Sequence, residues 1–161
     1  MASVGLSVIA VLLSVFNLLL LYGVIRRLKE RPPRAAPDEA LLAPGTAVEL
    51  PAGERPSPTL VGFFAPGCGP CDELLPSFAA YASSHPGGRE RVRVVLYGEP
   101  GEPRYTQALG PVAGLVPAEA HPLWTAAFRT SAYPQVHALS PAGVVLWSAG
   151  SAAELAARVR A

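Results

Sequence analysis

Hydrophobic and polar residues divide the chain into segments of different character, and the first segment is apolar throughout. Residues Ala2 to Val24 carry no charged side chain. At about 1.5 Å per residue, a helix of this length crosses the roughly 30 Å hydrocarbon layer of a bilayer. We therefore predict a transmembrane helix over residues 2–25. A cleaved signal peptide, which the lack of a preceding basic residue disfavours, and a buried core helix are the alternatives.

Charged residues and prolines dominate the next segment, from Arg26 to Gly45. Pro32 and Pro33 stop a helix, because proline lacks the amide donor and clashes with the preceding turn. Residues 26–45 are therefore predicted to form a linker.

Short apolar runs alternate with amphipathic stretches over the remainder, which predicts one domain over residues 46–161. The region between Tyr97 and His121 is predicted to be rich in loops, with one short helix. Ser151 and Glu154 have the spacing of a capping box at the start of the last helix. The order of elements predicts an α/β fold with a mixed sheet and helices on both faces. The predicted strands are Thr59–Pro66, Arg91–Tyr97, Gln135–Leu139 and Val144–Ser148, and the predicted helices are Gly69–Ser84, His121–Ala132 and the segment after Ser151.

Composition changes this picture in one respect. The formal net charge is only +1. A nucleic-acid partner usually requires a clustered basic face, so the charge argues against one.

The candidate chemistry lies in the only two cysteines, Cys68 and Cys71, where a buried strand gives way to a helix. A helix N-terminus stabilises a thiolate, so Cys68 is the candidate nucleophile that attacks a substrate disulfide. Cys71 lies within reach to resolve the mixed disulfide. Gly69 permits a close turn, and Pro70 suits the first helical turn.

Two other uses of the cysteine pair remain open. A zinc site needs further ligands, but the chain has no third cysteine, and His85, His121 and His137 are scattered. A structural disulfide usually closes a longer loop, because constraining a small one gains little. We predict no cofactor and no metal site.

Cys68-Gly69-Pro70-Cys71 resembles the active-site signature of the thioredoxin superfamily. Pro76 matches a helix proline found in many members, and Tyr133-Pro134 matches their cis-proline; Phe63, Phe64 and Ala65 also correspond. The resemblance covers residues 46–161. With the anchor and linker, the chain is similar to TlpA/ResA-type membrane-tethered thiol–disulfide oxidoreductases and to thioredoxin-like proteins that assist amine dehydrogenase maturation.

The resemblance implies a thioredoxin-like fold and a protein disulfide oxidoreductase, with CGPC typical of the reducing members. It implies that Tyr133 and Pro134 bind an extended substrate chain. The implied partners are protein thiols and disulfides together with an electron-donating redox protein.

Three positions depart from the superfamily pattern. Gly67 replaces a tryptophan, Gly62 replaces a buried acid, and Asp72 replaces a position that is often basic. A carboxylate at Asp72 opposes thiolate formation, which makes it a tuning residue together with Gly69 and Pro70. The missing acid supports an alternative function, a non-catalytic binding or assembly factor for a membrane or secreted partner. A copper chaperone is a third, less favoured option.

The sequence gives conflicting indications of membrane sidedness. Five basic residues follow the apolar run, and the positive-inside rule places that flank in the cytoplasm. The resemblance implies a domain outside the cytoplasm, where disulfides form. We expect a single-pass cell-membrane protein with an extracytoplasmic domain.

Overall fold

The computed structural model describes residues 13–22, 41–54, 56–98 and 103–160. The chain separates into two compact units, Met1–Pro32 and Pro33–Ala161. In the first unit, residues 13–22 form an α-helix with exposed side chains. The rest of the predicted transmembrane helix and residues 26–40 of the predicted linker lie outside the described residues. Within the described ranges, no helix has the length and apolar character needed to span a bilayer, so the transmembrane helix stays a prediction.

The second unit, in its described part, combines a five-stranded sheet with four α-helices. The strands are β1 (Leu60–Phe64), β2 (Val92–Leu96), β3 (Gly114–Leu115), β4 (Gln135–Leu139) and β5 (Val145–Ala149). The helices are α1 (Gly69–Ser83), α2 (Pro103–Leu109), α3 (His121–Ala127) and α4 (Ala152–Val159), with 3₁₀ turns at Gly88–Arg91 and Ala118–Ala120.

The strands are arranged in the order β3-β2-β1-β4-β5. β1 runs parallel to β2, and β2 runs parallel to β3. β4 is antiparallel to both β1 and β5, so the sheet is mixed. The central strand β1 is buried along its whole length, as its continuous apolar run predicts.

Helices cover both faces of the sheet, which confirms the predicted layer arrangement. One core packs Leu60 and Phe64 of β1 against Phe78 of α1, Tyr105 of α2 and Leu155 of α4. The second core lies on the opposite face and contains Val61, Phe63, Val95, Trp124 and Phe128. The alternation of side chains along β1 therefore joins the two cores.

The structure adds one strand to the prediction and shortens one predicted helix. β3 falls in the region predicted to be loop-rich, and it has only two residues. α3 ends at Ala127, so the helix predicted to reach Ala132 is too long. Arg129 takes a φ of 50°, the left-handed conformation that commonly follows a helix end.

Residues 41–45, the end of the predicted linker, pack against the domain. The Gly45 amide donates to the Val145 carbonyl (2.8 Å), and the Ser148 hydroxyl donates to the Leu42 carbonyl (2.7 Å). Nδ1 of His137 lies 2.8 Å from the Ser148 oxygen. A buried histidine is thus connected to the segment that enters the domain.

The last helix begins as its sequence predicts. Ser151 is the N-cap of α4, and its hydroxyl oxygen accepts from the Glu154 amide at 3.2 Å. The Glu154 carboxylate reaches back to the amide of Gly150 at 2.7 Å. Two backbone donors at the start of the helix are thereby satisfied.

Candidate active site

The two cysteines lie at the carboxyl end of β1, where the chain turns into α1. Cys68 is the extended N-cap residue of this helix, and its amide donates to the Ala65 carbonyl at 3.1 Å. Gly67 has a φ of 79°, which suits glycine far better than the tryptophan of the superfamily pattern. A Cβ built on Gly67 or Gly69 would meet no atom within 4 Å. The positions before and after Cys68 therefore have open space where a side chain would otherwise lie.

The two thiols differ in burial and in protonation. Both are free, but Cys68 is partly exposed whereas Cys71 is completely buried. Burial raises the pKa of Cys71, and the contact with Cys68, the Cys68 charge and the Asp72 charge raise it further. The Ala65 amide, which donates to the Cys71 sulfur at 3.4 Å, partly opposes this pKa shift.

The loop before β4 meets the cysteines across the site. The Tyr133–Pro134 peptide bond is cis, the geometry that the resemblance implied. The Cys68 thiol donates to the carbonyl oxygen of Tyr133 at a distance of 3.7 Å. A cysteine pair at the start of α1 thus faces a cis-proline next to β4, in a sheet of order β3-β2-β1-β4-β5. The domain has a thioredoxin-like fold.

Comparison with known proteins gave matches among solved structures. The thioredoxin domain of a thiol-disulfide oxidoreductase from Bacteroides vulgatus is 16% identical, with 74% of this chain and 96% of that chain covered and a TM-score of 0.49. StoA from Bacillus subtilis is 18% identical, with coverages of 62% and 80% and a TM-score of 0.45. A putative thiol:disulfide interchange protein DsbE from Chlorobium tepidum is 18% identical, with coverages of 66% and 78% and a TM-score of 0.42. No family model and no curated protein sequence matches the chain.

Asp72 has two partners that the sequence did not indicate. The Tyr105 hydroxyl donates to the Asp72 carboxylate at 2.8 Å, and the Arg104 guanidinium lies 3.3 Å from the same oxygen. Both partners belong to α2, which packs beside α1. The pKa of Tyr105 is raised by burial first, and then by its bond to Asp72 and by the nearby charges of Cys71, Asp72 and Cys68. Tyr105 therefore lies next to the cysteine pair.

Gly62 occupies the strand position where the superfamily holds a buried acid, and aromatic rings fill the space beside it. A Cβ on Gly62 would lie 2.9 Å from Phe64 and 2.9 Å from Phe78. The rings of these two phenylalanines pack edge to face with their centroids 5.1 Å apart. The fold therefore has no room for an acidic side chain at this position.

Tyr133, whose carbonyl contacts Cys68, belongs to an aromatic pair. Tyr97, which follows β2, stacks on Tyr133 with ring centroids 5.3 Å apart and planes 24° apart. Tyr97 is about half exposed, at 49%. Burial raises the pKa of Tyr133 to about 12, and the Tyr97 charge contributes less, so Tyr133 is neutral at physiological pH.

The predicted site residues converge, and the histidines do not join them. Gly69, Pro70 and Asp72 lie in the first turn of α1, and Tyr133 and Pro134 lie opposite. Their predicted roles in tuning and substrate binding stay predictions. His85 contacts Thr59, His121 contacts the Val116 carbonyl, and His137 contacts Ser148. Among the described residues, no three His, Cys, Asp or Glu side chains group as a metal site.

Proposed function

We propose that the protein is a membrane-tethered thiol–disulfide oxidoreductase that reduces disulfides of protein substrates. One observation carries the proposal. An accessible thiol, Cys68, contacts the backbone carbonyl beside a cis-proline, and a second thiol, Cys71, is buried behind it. This arrangement places a nucleophile, a resolving group and the backbone beside a cis-proline in one place.

The reaction proceeds by two exchanges. The Cys68 thiolate attacks one sulfur of a substrate disulfide, forms a mixed disulfide and releases the first substrate sulfur as a thiolate. Cys71, once deprotonated, attacks the Cys68 sulfur, forms the Cys68–Cys71 disulfide and releases the second substrate thiolate. Two electrons pass to the substrate, and both substrate thiolates take protons from water. A dithiol redox partner then reduces the protein for the next cycle.

The substrate is an extended protein segment. The Tyr133 carbonyl faces the cysteine rather than a neighbouring strand, so a substrate backbone can pair beside Pro134. The half-exposed ring of Tyr97 stacks on the Tyr133 ring and provides an aromatic surface for a substrate side chain.

The environment of Cys71 supports the direction of electron flow. Strongly oxidising members of this chemistry owe their potential to a stabilised reduced form, usually through a stabilised thiolate. Burial here destabilises the thiolate of Cys71, and Asp72 adds a negative charge nearby. Cys71 therefore lacks the stabilised thiolate that strongly oxidising members use, and the CGPC signature supports the reducing direction.

Reduction of insulin by residues 41–161 in the presence of dithiothreitol tests the proposal. We expect catalysed reduction, loss of it in Cys68→Ser, and stable mixed disulfides in Cys71→Ala. Activity that survives Cys68→Ser contradicts the assigned nucleophile. The folding of each variant is checked by its unfolding transition, so that loss of structure is not mistaken for loss of chemistry.

Tethering and sidedness form a separate part of the proposal. The charge-free run 2–24 supports a membrane anchor, and the superfamily resemblance supports a domain outside the cytoplasm. Alkaline phosphatase fused to the C-terminus of the full chain is expected to be active. As a control, the same phosphatase fusion is placed behind a known export signal, where it should be active. If that control is active and the full-chain fusion is not, the prediction of an extracytoplasmic domain is wrong.

A binding or assembly factor is the second candidate, and the filled space at Gly62 favours it because the usual proton acceptor is absent. The two candidate functions differ in whether partner capture requires the cysteine thiols. Capture of the same partner by Cys71→Ala and by a variant lacking both cysteines supports the binding factor. Covalent capture that requires Cys68 supports the oxidoreductase.

A further inference from the structure

We propose that Arg104 and Tyr105 of α2 hold the Asp72 carboxylate and offset its negative charge, and thereby keep Cys68 reactive as the nucleophile. The inference rests on the proposed function and adds two positioning residues to its first exchange. Both residues act on Cys68 through Asp72 rather than by contact with the substrate.

Asp72 lies where its charge acts against Cys68. Cys68 is the N-cap of α1, and the Asp72 amide donates to the Cys68 carbonyl at 3.0 Å, so the two residues are one helical turn apart. Side chains four positions apart are neighbours on a helix surface. A carboxylate at this place opposes the positive field of the helix N-terminus, which favours a thiolate. Without compensation, Asp72 would therefore make Cys68 a poorer nucleophile.

Two donors from α2 contact this carboxylate. The Tyr105 hydroxyl donates to one Asp72 oxygen at 2.8 Å, and a guanidinium nitrogen of Arg104 lies 3.3 Å from the same oxygen. A hydroxyl dipole directed at a carboxylate and a positive charge beside it both weaken the negative potential that the carboxylate exerts on its surroundings. Arg104 and Tyr105 therefore counter the charge that opposes the Cys68 thiolate.

The two donors differ in exposure, which predicts unequal effects. Tyr105 is completely buried, so packing fixes its hydroxyl in place. The side chains of Arg104 and Asp72 are 55% and 35% exposed, and water and salt screen an ion pair of this kind. We expect the Tyr105 bond to provide the larger part of the effect and Arg104 a smaller, salt-sensitive part.

The charges in this region act on one another. Burial is the main cause of the raised pKa of Cys71, and the Asp72 charge contributes to it. Burial also raises the pKa of Tyr105, followed by its bond to Asp72 and the charges of Cys71, Asp72 and Cys68. The α2 hydroxyl, the carboxylate and both thiols therefore lie within electrostatic range of each other. In the described part of the chain, the ionisable groups next to Cys68 on these elements are Cys71, Asp72 and Glu73 of α1, Arg104 and Tyr105 of α2, and Tyr133 before β4.

Alkylation of Cys68 in the reduced full chain tests the inference. Iodoacetamide labelling of Cys68 is followed by mass spectrometry across a range of pH. Tyr105→Phe removes the hydroxyl and keeps the ring. We expect it to slow Cys68 labelling about threefold at neutral pH, because part of the Asp72 charge is no longer offset. The rates should converge at high pH, where the thiol is fully ionised in both proteins.

The Asp72→Asn background shows whether Tyr105 acts through the carboxylate. Asp72→Asn alone should label Cys68 at least as fast as the unmodified protein, because the opposing charge is gone. Adding Tyr105→Phe to this background should cause no further change in rate, since no charge remains to be offset. A role of Tyr105 in packing alone would affect both backgrounds alike.

Arg104→Gln provides an independent variant on the protein surface. We expect about twofold slower labelling of Cys68 at low salt, and no difference in about 1 M salt, where the screening length falls to roughly 3 Å. Arg158→Gln, the matched control, removes the same charge from an exposed position in α4 and should behave as the unmodified protein.

The inference is overturned if Tyr105→Phe labels as fast as the unmodified protein, or if its slower labelling persists in the Asp72→Asn background. Equal rates for Arg104→Gln and Arg158→Gln at low salt would remove Arg104 from it. Insulin reduction separates this inference from the proposed function. If the labelling rates follow the expected pattern and the unmodified protein does not reduce insulin, the proposed function fails while the effect of α2 on Cys68 stands.

Discussion

The Cys68 sulfur lies 3.7 Å from the carbonyl oxygen of Tyr133, although 65 positions separate the two residues along the chain. The antiparallel pairing of β1 with β4 creates this proximity, because it places the end of one strand beside the start of the other. A substrate backbone that pairs at Tyr133 is thereby brought to the sulfur that attacks it.

We predict selective alkylation of the two cysteines. Iodoacetamide should label Cys68 in the native domain and leave Cys71 unlabelled. Cys71 reacts slowly because it is buried and its pKa is raised. Each pKa unit lowers the thiolate fraction about tenfold, so the difference in labelling rate should exceed about tenfold. Peptide mapping by mass spectrometry measures it. Both cysteines should react in urea; equal rates in the native protein contradict the described burial.

Tyr97→Ala should weaken the reaction with protein substrates specifically. Loss of an aromatic contact is worth about 1 kcal/mol, so KM for insulin should rise roughly fivefold while kcat changes little. The rate with Ellman's reagent, which is too small to use this surface fully, should stay the same. Leu123→Ala removes an exposed apolar side chain from α3 and serves as the control. An unchanged KM for Tyr97→Ala means that substrates do not contact this ring.

Gly62→Ala should destabilise the domain by about 1–3 kcal/mol, the usual effect of overpacking. The added methyl group would lie 2.9 Å from the Phe64 and Phe78 rings, which must then shift. Urea unfolding measures the change. Gly69→Ala, where the Cβ meets open space, should stay within about 0.5 kcal/mol of the unmodified domain. Equal stability of the Gly62 variant and the unmodified domain would show that the rings leave room at position 62.

His137 should make the domain less stable in acid. Burial lowers its pKa from 6.5 to about 4, so the unfolded chain binds a proton that the folded domain does not. Above pH 6.5 the histidine is neutral in both states and has no effect. As the pH falls from 6.5 to 4, the free energy of unfolding should decrease by about 3 kcal/mol from this group.

The contribution of His137 is isolated by substitution. In His137→Gln the free energy of unfolding should vary less with pH over this window, whatever its absolute value. His121→Gln, which removes a partly buried histidine at the start of α3, is the matched control for the loss of one imidazole. Parallel curves for the unmodified domain and His137→Gln would assign the acid sensitivity to other groups.

The sequence predicted those parts of the fold that local patterns encode. The continuous apolar run of β1 and the capping residues Ser151 and Glu154 need only a few neighbouring positions to be recognised. β3 was missed because two residues, Gly114 and Leu115, show no periodicity, and the pairing with β2 alone defines the strand. The end of α3 was misplaced because backbone geometry at Arg129, rather than composition, stops the helix.

The site divides in the same way. Cys68 and Cys71 are identified by their spacing and Pro134 by the resemblance. The Tyr105–Asp72 bond joins residues 33 positions apart on two helices, and the contact of Ser148 with Leu42 spans 106 positions. Nothing local in the chain marks either pair. Such contacts depend on tertiary packing and become visible only in the folded domain.

The two glycines that border Cys68 have a consequence for substrate choice. Because positions 67 and 69 carry no side chain, the chain on either side of the Cys68 sulfur sets no steric limit on the extended segment that a client presents. Steric exclusion at these two positions therefore does not discriminate among clients. Selectivity depends on how well the backbone and side chains of the client match Tyr97, Tyr133 and Pro134.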